Sequence, residues 1–381
     1  MAKKKVLVFI DWFFPGDKAG GPVRSVVNLI EHLRHEVEFA VITRDTDYTE
    51  SKPYANVTSD AWNDSPLGVK VYYISEKRLT RDTIARLLNE TEYDHVYLNG
   101  MWSQPFTIWP LEFLKAHKKN VPVTLAVRGM LAPSALAIKW LKKKIFLLLA
   151  KMRGTYSGVT FHATTAAEAK QVRKVFGDKT TIHVAGNLPR KSTGAEFSHI
   201  VKKKDSIRMV NIARVAPEKN TLYAVETLIH VAASPELDIW GAYYDNEYAM
   251  ACEYAAKKLP EGCIVRFNGP LDSKAIHHTI AEFDLFFMPT RGENFGHIIL
   301  ESLQAGVPVL ISDQTPWKNL AEHKAGWDIS LDDPKEFAAI IDKVAAMDET
   351  ELAGWRRGAK EFAARYSNDE KLIGLSRSMF S

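Results

Sequence analysis

Two glutamates, Glu293 and Glu301, are separated by seven residues in the stretch PTRGENFGHIILESLQAGVPVLISDQTPW, residues 289–317. Carboxylates accept hydrogen bonds from hydroxyl groups, and the free backbone amides at the start of a helix bind anions. If both carboxylates reach one cleft beside such amides, they suit a ligand that carries hydroxyls at one end and phosphates in the middle.

The residues around the two glutamates predict a polar loop, a helix and a buried strand. Apolar residues recur at helical spacing from Ile298 to Leu303, and the apolar, β-branched run 307–312 is typical of a buried strand. If the helix begins near Phe295, Glu293 lies in the loop before it and Glu301 lies about two turns in. Both carboxylates are then expected at the carboxyl end of a strand, where ligands bind in open α/β sheets.

Two cations, Arg214 and Lys219, form a second candidate group. They belong to the loop that follows the predicted strand Ile207–Arg214 and precedes a helix. Fixed cations at a strand end can neutralise the charge that develops on a departing nucleoside diphosphate. A solvated surface pair is the alternative interpretation.

Together these motifs resemble the retaining glycosyltransferases of the GT-B fold, the large family numbered 4. The resemblance is carried by the E-x7-E pattern with Gly296 between its glutamates, by the Gly-Val-Pro-Val strand at 306–309 and by the R-x4-K pair, although Asn220 replaces the usual glycine after the lysine. It implies an α/β protein of two Rossmann-like, doubly wound domains that face each other across a cleft. The implied activity moves a hexose from a UDP- or GDP-sugar to a hydroxyl of a glycan or lipid-linked acceptor, in surface polysaccharide biosynthesis.

The same resemblance implies roles for single residues. Glu301 would bind the ribose hydroxyls, Arg214 and Lys219 the diphosphate, and Glu293 the donor sugar. Loops at neighbouring strand ends would complete the donor site, with Gly20, Gly21, Gly241, Leu271 and the amides of Asn294, Phe295, Gly296 and His297. In this family the leaving phosphate is thought to deprotonate the incoming hydroxyl, so no protein nucleophile is expected. No metal-ligand set is evident in the sequence, so activity without a divalent cation is expected, and no cofactor is expected.

The first predicted domain supplies two further loops. Gly20-Gly21 follows the predicted strand Val6–Ile10, and paired glycines let a backbone approach a ligand closely, although a simple turn explains them equally well. They do not form the G-x-G-x-x-G fingerprint of nicotinamide enzymes. Arg128 opens an Arg-Gly-Met-Leu loop that resembles a subgroup of the family; arginine cannot act as a general base at neutral pH, but it can donate hydrogen bonds to phosphate or sugar. A purely structural arginine is the alternative.

Three other sites favour structural interpretations. The D-x-D sequence Asp45–Asp47 is typical of metal-binding glycosyltransferases of another fold, but its position predicts a solvated loop. His162 lies in an apolar strand and is expected to be packed. Thr165 and Glu168 are spaced for a capping box at a helix start.

The composition bounds the protein class and the domain organisation. A chain of 381 residues with 46% hydrophobic and 25% charged residues suits a globular protein of two domains. Two cysteines indicate no disulfide framework. The first residues of the sequence are typical of a strand rather than of a signal peptide. A cytoplasmic location is therefore expected. The predicted divisions are domain 1–188, linker 189–205, domain 206–366 and a terminal segment, 367–381, that crosses back to the first domain.

One part of the chain is strongly basic. From Phe113 to Ala167 there are ten lysines or arginines and no carboxylate. Within it, a predicted helix from Pro133 to Arg153 mixes cations with exposed-looking Trp140, Phe146 and Leu147, which is typical of a surface on anionic lipid. The region Lys139–Arg153 is therefore a candidate membrane contact, with a plain solvated helix as the alternative; no pattern of a nucleic-acid site is present.

Two other functions fit parts of the pattern. A sugar-nucleotide epimerase of similar fold would need the donor site but no acceptor. A non-enzymatic nucleotide-binding protein would have little need for both cations and both glutamates.

Overall fold

The computed structural model describes residues 3–16, 18–117, 120–137, 140–191 and 201–381. Its contacts divide the chain into two compact units. Unit 1 comprises Met1–Lys191 and Asp369–Ser381, and unit 2 comprises Ser192–Asn368. Residues 192–200 of the predicted linker lie outside the described residues.

Unit 1 is built on a sheet with strand order β3-β4-β2-β1-β5-β6-β7-β8 in the described part of the chain. All neighbours pair in parallel except β3, which is antiparallel to β4. Its strands are β1 (Lys4–Phe9), β2 (Val37–Arg44), β3 (Ala61–Asp64), β4 (Lys70–Ile74), β5 (His95–Asn99), β6 (Val123–Ala126), β7 (Thr160–Ala163) and β8 (Ile182–Val184). The sequence predicts a polar loop from Arg44 to about Asn63, but residues 61–64 form strand β3. Only two of the four side chains of β3 are partly buried, so the strand has no apolar pattern.

Helices connect the strands of this sheet. They are α1 (Gly21–Leu33), α2 (Arg81–Glu90), α3 (Trp109–Ala116), α4 (Pro133–Ala137), α5 (Trp140–Met152) and α6 (Ala166–Phe176), with a π-helical turn at Gln104–Ile108 and a 3-10 turn at Glu76–Arg78. The helical spacing predicts one apolar face of α1, formed by Val23, Val26, Val27, Ile30 and Leu33. All of these are buried except Val27, which is partly exposed.

The long helix predicted from Pro133 to Arg153 appears as α4 and α5, with residues 138 and 139 outside the described part. Trp140 is exposed as predicted, but Phe146 and Leu147 are partly buried against the core of unit 1. The expectation that these two side chains are exposed was wrong, because α5 is apolar on both sides and packs through the side that carries them.

Unit 2 is a second α/β unit, with a parallel sheet of order β11-β10-β9-β12-β13-β14. The strands are β9 (Ser206–Ile212), β10 (Ser234–Trp240), β11 (Ile264–Phe267), β12 (Leu285–Met288), β13 (Val309–Ser312) and β14 (Gly326–Ile329). The helices are α7 (Thr221–Thr227), α8 (Asn246–Ala256), α9 (Ile276–Ala281), α10 (His297–Gln304), α11 (Pro334–Ala346) and α12 (Glu349–Ser367), with 3-10 turns at Pro217–Lys219, Leu228–His230 and Ala321–His323. Strands β9 and β12 are neighbours, so the loops that follow them begin side by side.

The last residues belong to unit 1. Helix α13 (Glu370–Arg377) and the 3-10 turn Ser378–Phe380 follow α12, and the Phe380 ring packs edge-on against Phe39, His95 and Tyr97. The Arg377 side chain forms an ion pair with Glu36, directly before β2.

Candidate functional site

Hydrogen bonds join the loop after β9 to the loop after β12. The carbonyl of Glu218 accepts from the Thr290 hydroxyl at 3.0 Å and from the Arg291 amide at 3.0 Å. The Asn220 side chain donates to the Pro289 carbonyl at 3.0 Å and accepts from Arg291 Nε at 3.1 Å. The two predicted motifs, R-x4-K and E-x7-E, therefore start from one connected edge of the sheet of unit 2.

Asn220 adopts the left-handed conformation, with φ 58° and ψ 37°, at the residue before α7. Left-handed geometry favours glycine and is tolerated by asparagine. Asn220, which replaces the family's usual glycine, thus keeps the turn. The buried side-chain amide of Asn220 adds the two hydrogen bonds to Pro289 and Arg291 in the neighbouring loop.

Lys219 and Glu293 form an ion pair in which the two side chains are only 19% and 13% exposed. An ammonium group has three donors, so Lys219 can bind Glu293 and a further anionic oxygen at the same time. The structure brings these two predicted residues together, and the Glu293 amide is fixed by a 3.1 Å bond to the Gln314 carbonyl. The carboxylate is therefore held beside the cation before any ligand arrives.

Arg214 has a different carboxylate partner. Its guanidinium lies 3.5 Å from Glu218, and its central carbon lies 5.0 Å from the centre of the Tyr244 ring. Both members of the ion pair are close to half exposed, so solvent weakens the attraction. Arg214 is accessible to an anionic ligand, whereas Lys219 is fixed by its pair with Glu293.

Helix α10 begins at His297, two residues later than predicted. Gly296 precedes it with φ 76°, and a side chain there would meet Ile299 Cδ1 at 2.8 Å, so this turn requires glycine. Glu301 is consequently about one turn into the helix rather than two, and it is buried. The amino-terminal end of α10 follows the loop that carries Glu293, with Asn294, Phe295 and Gly296 between them in sequence.

The Phe295 side chain is part of the core of unit 2. Its ring packs against His297, Trp317 and Tyr366, and its carbonyl accepts a hydrogen bond from Trp317 Nε1 at 2.5 Å. Only backbone atoms of Phe295 therefore suit the predicted contact with a donor.

Gly241 and Leu271 also contribute to the packing of unit 2. A Cβ atom on Gly241 would lie 1.8 Å from the Ala213 carbonyl oxygen, and the Gly241 amide donates to Gly269 at 2.7 Å. Leu271 packs, partly buried, against the core cluster that contains Phe295. The loops after β9, β10 and β11 thus approach each other through backbone atoms, and the donor-binding role of Gly241 and Leu271 stays a prediction.

In unit 1, Gly20 and Gly21 leave the start of α1 open. Gly20 has φ 70°, and a Cβ atom on either glycine would have no neighbour within 4 Å. Space for a ligand therefore exists beside this backbone, and the contact with a ligand stays a prediction.

Arg128 is held by three side chains of unit 1. Its Nε donates to Asn99 at 2.7 Å, one terminal nitrogen donates to Asn187 at 2.5 Å, and the other donates to the Tyr97 hydroxyl at 2.9 Å. The backbone of Arg128 is left-handed, with φ 55°. These contacts favour the structural interpretation of this arginine, because a phosphate would have to share or replace these partners.

The same network contains His162. Its Nδ1 lies 2.9 Å from the Tyr97 hydroxyl and its Nε2 lies 2.8 Å from the Ala185 carbonyl. Burial, with a smaller contribution from the Arg128 charge, lowers the pKa of His162 to about 3. His162 is thus a packed, neutral histidine, as the sequence predicts.

Glu168 is a buried residue whose role the sequence only partly indicates. The Thr165 hydroxyl accepts from the Glu168 amide at 3.0 Å, which is the predicted helix cap. The Glu168 carboxylate does not return to Thr165, however; it accepts from the Thr164 amide at 2.6 Å, from the Thr164 hydroxyl at 2.8 Å and from the Gly129 amide. It therefore fixes the loop that carries Arg128.

Asp45 and Asp47 are buried, which contradicts the predicted solvated loop. Asp45 accepts from the Ser59 hydroxyl at 2.7 Å, and Asp47 accepts from the amide of Tyr48 at 2.7 Å and of Lys18 at 3.3 Å. Their carboxylates bind the folded loop itself. Among the described residues, no group of three or more His, Cys, Asp or Glu is placed to hold a metal ion.

No helix in the described part of the chain is both long enough and apolar enough to cross a membrane.

Residues 193–361 match the family model "Glycosyl transferases group 1", which covers nearly all of unit 2. A stretch of 120 residues is 28% identical to the D-inositol 3-phosphate glycosyltransferase of Jonesia denitrificans. That alignment spans 30% of this chain and only 28% of the relative's length.

Solved structures resemble the whole chain. The Anabaena protein Alr3699/HepE, solved with UDP and glucose, has a TM-score of 0.69 at 15% identity, over 99% of this chain and 98% of its own. Sucrose-phosphate synthase from Thermosynechococcus elongatus has a TM-score of 0.70 at 15% identity, and the match covers 99% of both chains. WaaG has a TM-score of 0.62 at 13% identity, and the match covers 98% of both chains. At these identities the likeness establishes the fold, and the predicted GT-B class of two α/β domains with parallel sheets is confirmed.

Proposed function

We propose that this chain, whose second unit carries a Glycosyl transferases group 1 domain, is a retaining glycosyltransferase that moves a hexose from a nucleoside diphosphate sugar to a hydroxyl acceptor. The observation that carries the proposal is the Lys219–Glu293 pair, at the point where the loops after β9 and β12 are joined. This pair belongs to the segment that matches the family model.

Lys219 and Arg214 supply the positive charge of the proposed site. When the bond between the sugar C1 and the diphosphate oxygen breaks, negative charge grows on that oxygen. A fixed cation stabilises this state more than it stabilises the bound donor, so it raises turnover. Glu293 fixes the orientation of Lys219. It lies four residues before the start of α10 and offers a carboxylate to the sugar hydroxyls.

Glu301 is proposed to bind the ribose. It is buried on α10, one turn from the helix start, so its carboxylate is held by the helix rather than by a loop. The amides at the amino-terminal end of α10 suit the phosphates or the sugar, because the first amides of a helix have no partner inside it.

The proposed reaction needs no nucleophile from the protein. The acceptor oxygen bonds to C1 on the face that the diphosphate leaves, and the acceptor proton passes to a leaving phosphate oxygen, so the anomeric configuration is retained. We propose that the reaction proceeds without a divalent cation. Metal removal tests this point: activity in EDTA equal to activity in magnesium supports it, and activity restored only by a divalent cation contradicts it.

A UDP-sugar is the proposed first donor to test. Alr3699/HepE was solved with UDP, with UDP-glucose and with UDP and glucose, and it shares the fold of this chain. GDP-sugars are the second choice. For the acceptor we propose a glycan or a lipid-linked sugar of surface polysaccharide biosynthesis; WaaG, which has a similar fold, is described as involved in lipopolysaccharide biosynthesis. A cytoplasmic protein attached to the inner face of a membrane fits such an acceptor.

A thermal-shift screen against UDP- and GDP-sugars identifies the donor. Transfer is then measured with the donor that binds, and the anomeric configuration of the product is read by NMR. Product of inverted configuration overturns the retaining mechanism. Conversion of the donor to its epimer in the absence of acceptor would instead indicate an epimerase, and binding with neither transfer nor hydrolysis would indicate a binding protein.

A further inference from the structure

Helix α5 carries an exposed apolar stripe. Leu141, Ile145, Leu148 and Met152 are 54%, 50%, 59% and 76% exposed. At roughly 100° per residue, these four side chains fall within an arc of about 60° on the helix surface. Four large apolar side chains side by side form a contiguous patch, and patches of this kind mark contact surfaces.

The opposite side of α5 already packs against unit 1. Ala150 is buried, Phe146 and Leu147 pack partly buried against the core, and the Phe146 ring lies 5.3 Å from the Trp102 ring. The helix end is fixed as well, because Lys115 donates to the carbonyls of Gly154 and Thr155. The exposed stripe is therefore not needed to hold the helix in place.

Cations flank the stripe on both sides. On the same helical projection, Lys144 and Lys151 lie on one border and Lys142 and Arg153 on the other, each roughly 40–120° from the centre of the stripe. All four are exposed, and the sequence has no carboxylate between Phe113 and Ala167. Trp140, 59% exposed, lies on the Lys144 border, with the Lys144 ammonium 5.9 Å from its ring centre.

We propose that α5 lies in the plane of an anionic bilayer, with its apolar stripe inserted among the acyl chains and its flanking cations at the phosphate level. Helices with one apolar face and basic borders bind membranes in this way. Long lysine and arginine side chains can keep their charge at the headgroups while the backbone sinks deeper. Trp140 is placed at the border, and tryptophan prefers the interface between lipid and water.

Charge decides between a membrane and a second copy of this chain. A pair of α5 helices packed through their stripes would bring the cationic borders of both copies together, and like charges at an interface oppose association. An anionic membrane instead attracts those cations. The inference rests on the proposed location at a membrane and adds the element that enters the lipid.

Vesicle sedimentation of the full-length protein tests the insertion. The vesicles are phosphatidylcholine alone or phosphatidylcholine with 30% phosphatidylglycerol, and no donor or acceptor is present, so the result does not depend on glycosyl transfer. The wild type is expected to bind the anionic vesicles and not the neutral ones.

Two kinds of variant separate insertion from surface attraction. Leu141→Ser with Leu148→Ser should lower the partition coefficient at least tenfold, because two leucines no longer leave water. Lys142→Gln with Lys144→Gln should lower it by a factor of about five for each charge. Ile229→Ser, at another exposed apolar residue in unit 2, is the matched control and should bind like the wild type. All these positions are exposed, and circular dichroism checks that each variant is folded.

The Trp140 signal provides a second readout. Anionic vesicles should shift the tryptophan emission to shorter wavelength, and Trp140→Phe should remove most of this shift. If the two-serine variant binds anionic vesicles as tightly as the wild type does, and high salt removes all binding, the proposal is overturned in favour of electrostatic attraction at the membrane surface. The proposal is also overturned, in favour of self-association, if the wild type binds neither kind of vesicle and is a dimer that becomes a monomer when Leu141 and Leu148 are changed to serine.

Discussion

At the scale of single residues, Lys219 is the side chain on which the proposed chemistry depends most. It is mostly buried and paired with Glu293, so its charge is fixed in place rather than spread over many rotamers. Lys219→Ala should lower turnover about a hundredfold, which is typical for loss of one donor that stabilises developing charge. Steady-state kinetics measures this. Lys257→Ala, at an exposed residue at the end of α8, is the control and should keep full activity.

Unchanged turnover in a folded Lys219→Ala protein would contradict the assignment. The ion pair adds a sharper expectation. Once Lys219 is replaced, Glu293 no longer has a side chain to position. The double variant Lys219→Ala with Glu293→Gln should therefore raise the activation free energy by less than the sum of the increases in the two single variants. Residues in direct contact usually show such non-additivity.

The two glutamates should affect different kinetic parameters. Glu301 is proposed to hold the ribose, which is remote from the reacting carbon, so Glu301→Gln should mainly raise the KM for the donor. Glu293 is proposed to lie beside the sugar and is bonded to Lys219, so Glu293→Gln should mainly lower turnover. Equal effects of both variants on one parameter would show that the proposed division of roles is wrong.

At the scale of elements, the loop from Arg128 to Leu131 depends on Glu168 at the start of α6. This carboxylate accepts from two donors of Thr164 and from the Gly129 amide. Glu168→Ala leaves these donors without a partner, and each buried donor that is left unsatisfied costs about 1–3 kcal/mol. The free energy of unfolding of unit 1 should therefore fall by about 3 kcal/mol or more, as measured by chemical denaturation.

The neighbouring cap provides the comparison for Glu168. Thr165→Ala removes only the cap bond and should cost about 1 kcal/mol. If Glu168→Ala lowers the free energy of unfolding by no more than Thr165→Ala does, the Glu168 carboxylate does not fix the loop from Arg128 to Leu131.

The sequence predicts most elements because their apolar patterns are strong. The strands predicted at Val6–Ile10, Ile207–Arg214 and 307–312 correspond to β1, β9 and β13, with ends that differ by at most two residues. The positions of Lys219, Glu293 and Glu301 at strand and helix ends follow from the strand–loop–helix order. Short edge strands such as β3 and β8 carry too few buried residues to show a pattern.

Other features depend on contacts between distant residues and have no local pattern. α5 is the clearest case, because both of its sides carry large apolar residues. The packing of Phe146 and Leu147 against the core of unit 1 decides which side faces inward. The burial of Asp45 likewise depends on Ser59, fourteen residues later. The partners of Arg128 come from three separate segments, so its internal bonding could not be predicted from the Arg-Gly-Met-Leu motif alone.

At the scale of the whole molecule, buried histidines link the stability of unit 1 to pH. Burial, with a smaller contribution from the Lys4 charge, lowers the pKa of His95 to about 4, and burial lowers the pKa of His162 to about 3. An unfolded histidine has a pKa near 6.5, so below that pH the unfolded chain binds protons that the folded unit excludes. This stabilisation is present above about pH 6.5 and is lost as the pH falls towards the folded pKa values, by about 1.4 kcal/mol per pH unit for each histidine.

Hydrogen exchange at pH 7, 6 and 5, corrected for the intrinsic exchange rate, measures this dependence. Peptides that cover β5 and β7 should lose protection as the pH falls, whereas peptides from the core strands of unit 2 serve as the internal control. His162→Gln should make the dependence in unit 1 shallower. Equal slopes in both units would contradict the linkage to these histidines.

The chain leaves unit 1 at Lys191 and returns to it at Asp369, so the stability of unit 1 depends on its last residues. Phe380 is nearly fully buried, with its ring centre 5.7 Å from that of Phe39, 5.3 Å from that of His95 and 5.8 Å from that of Tyr97. Phe380→Ala should lower the free energy of unfolding of unit 1 by about 3–5 kcal/mol, as removal of a buried phenylalanine does. Calorimetry should show a lower melting transition for unit 1 and an unchanged one for unit 2. Leu375→Ala, at a more exposed residue of α13, is the control, and a Phe380→Ala protein that melts like this control would show that the terminal segment does not stabilise unit 1.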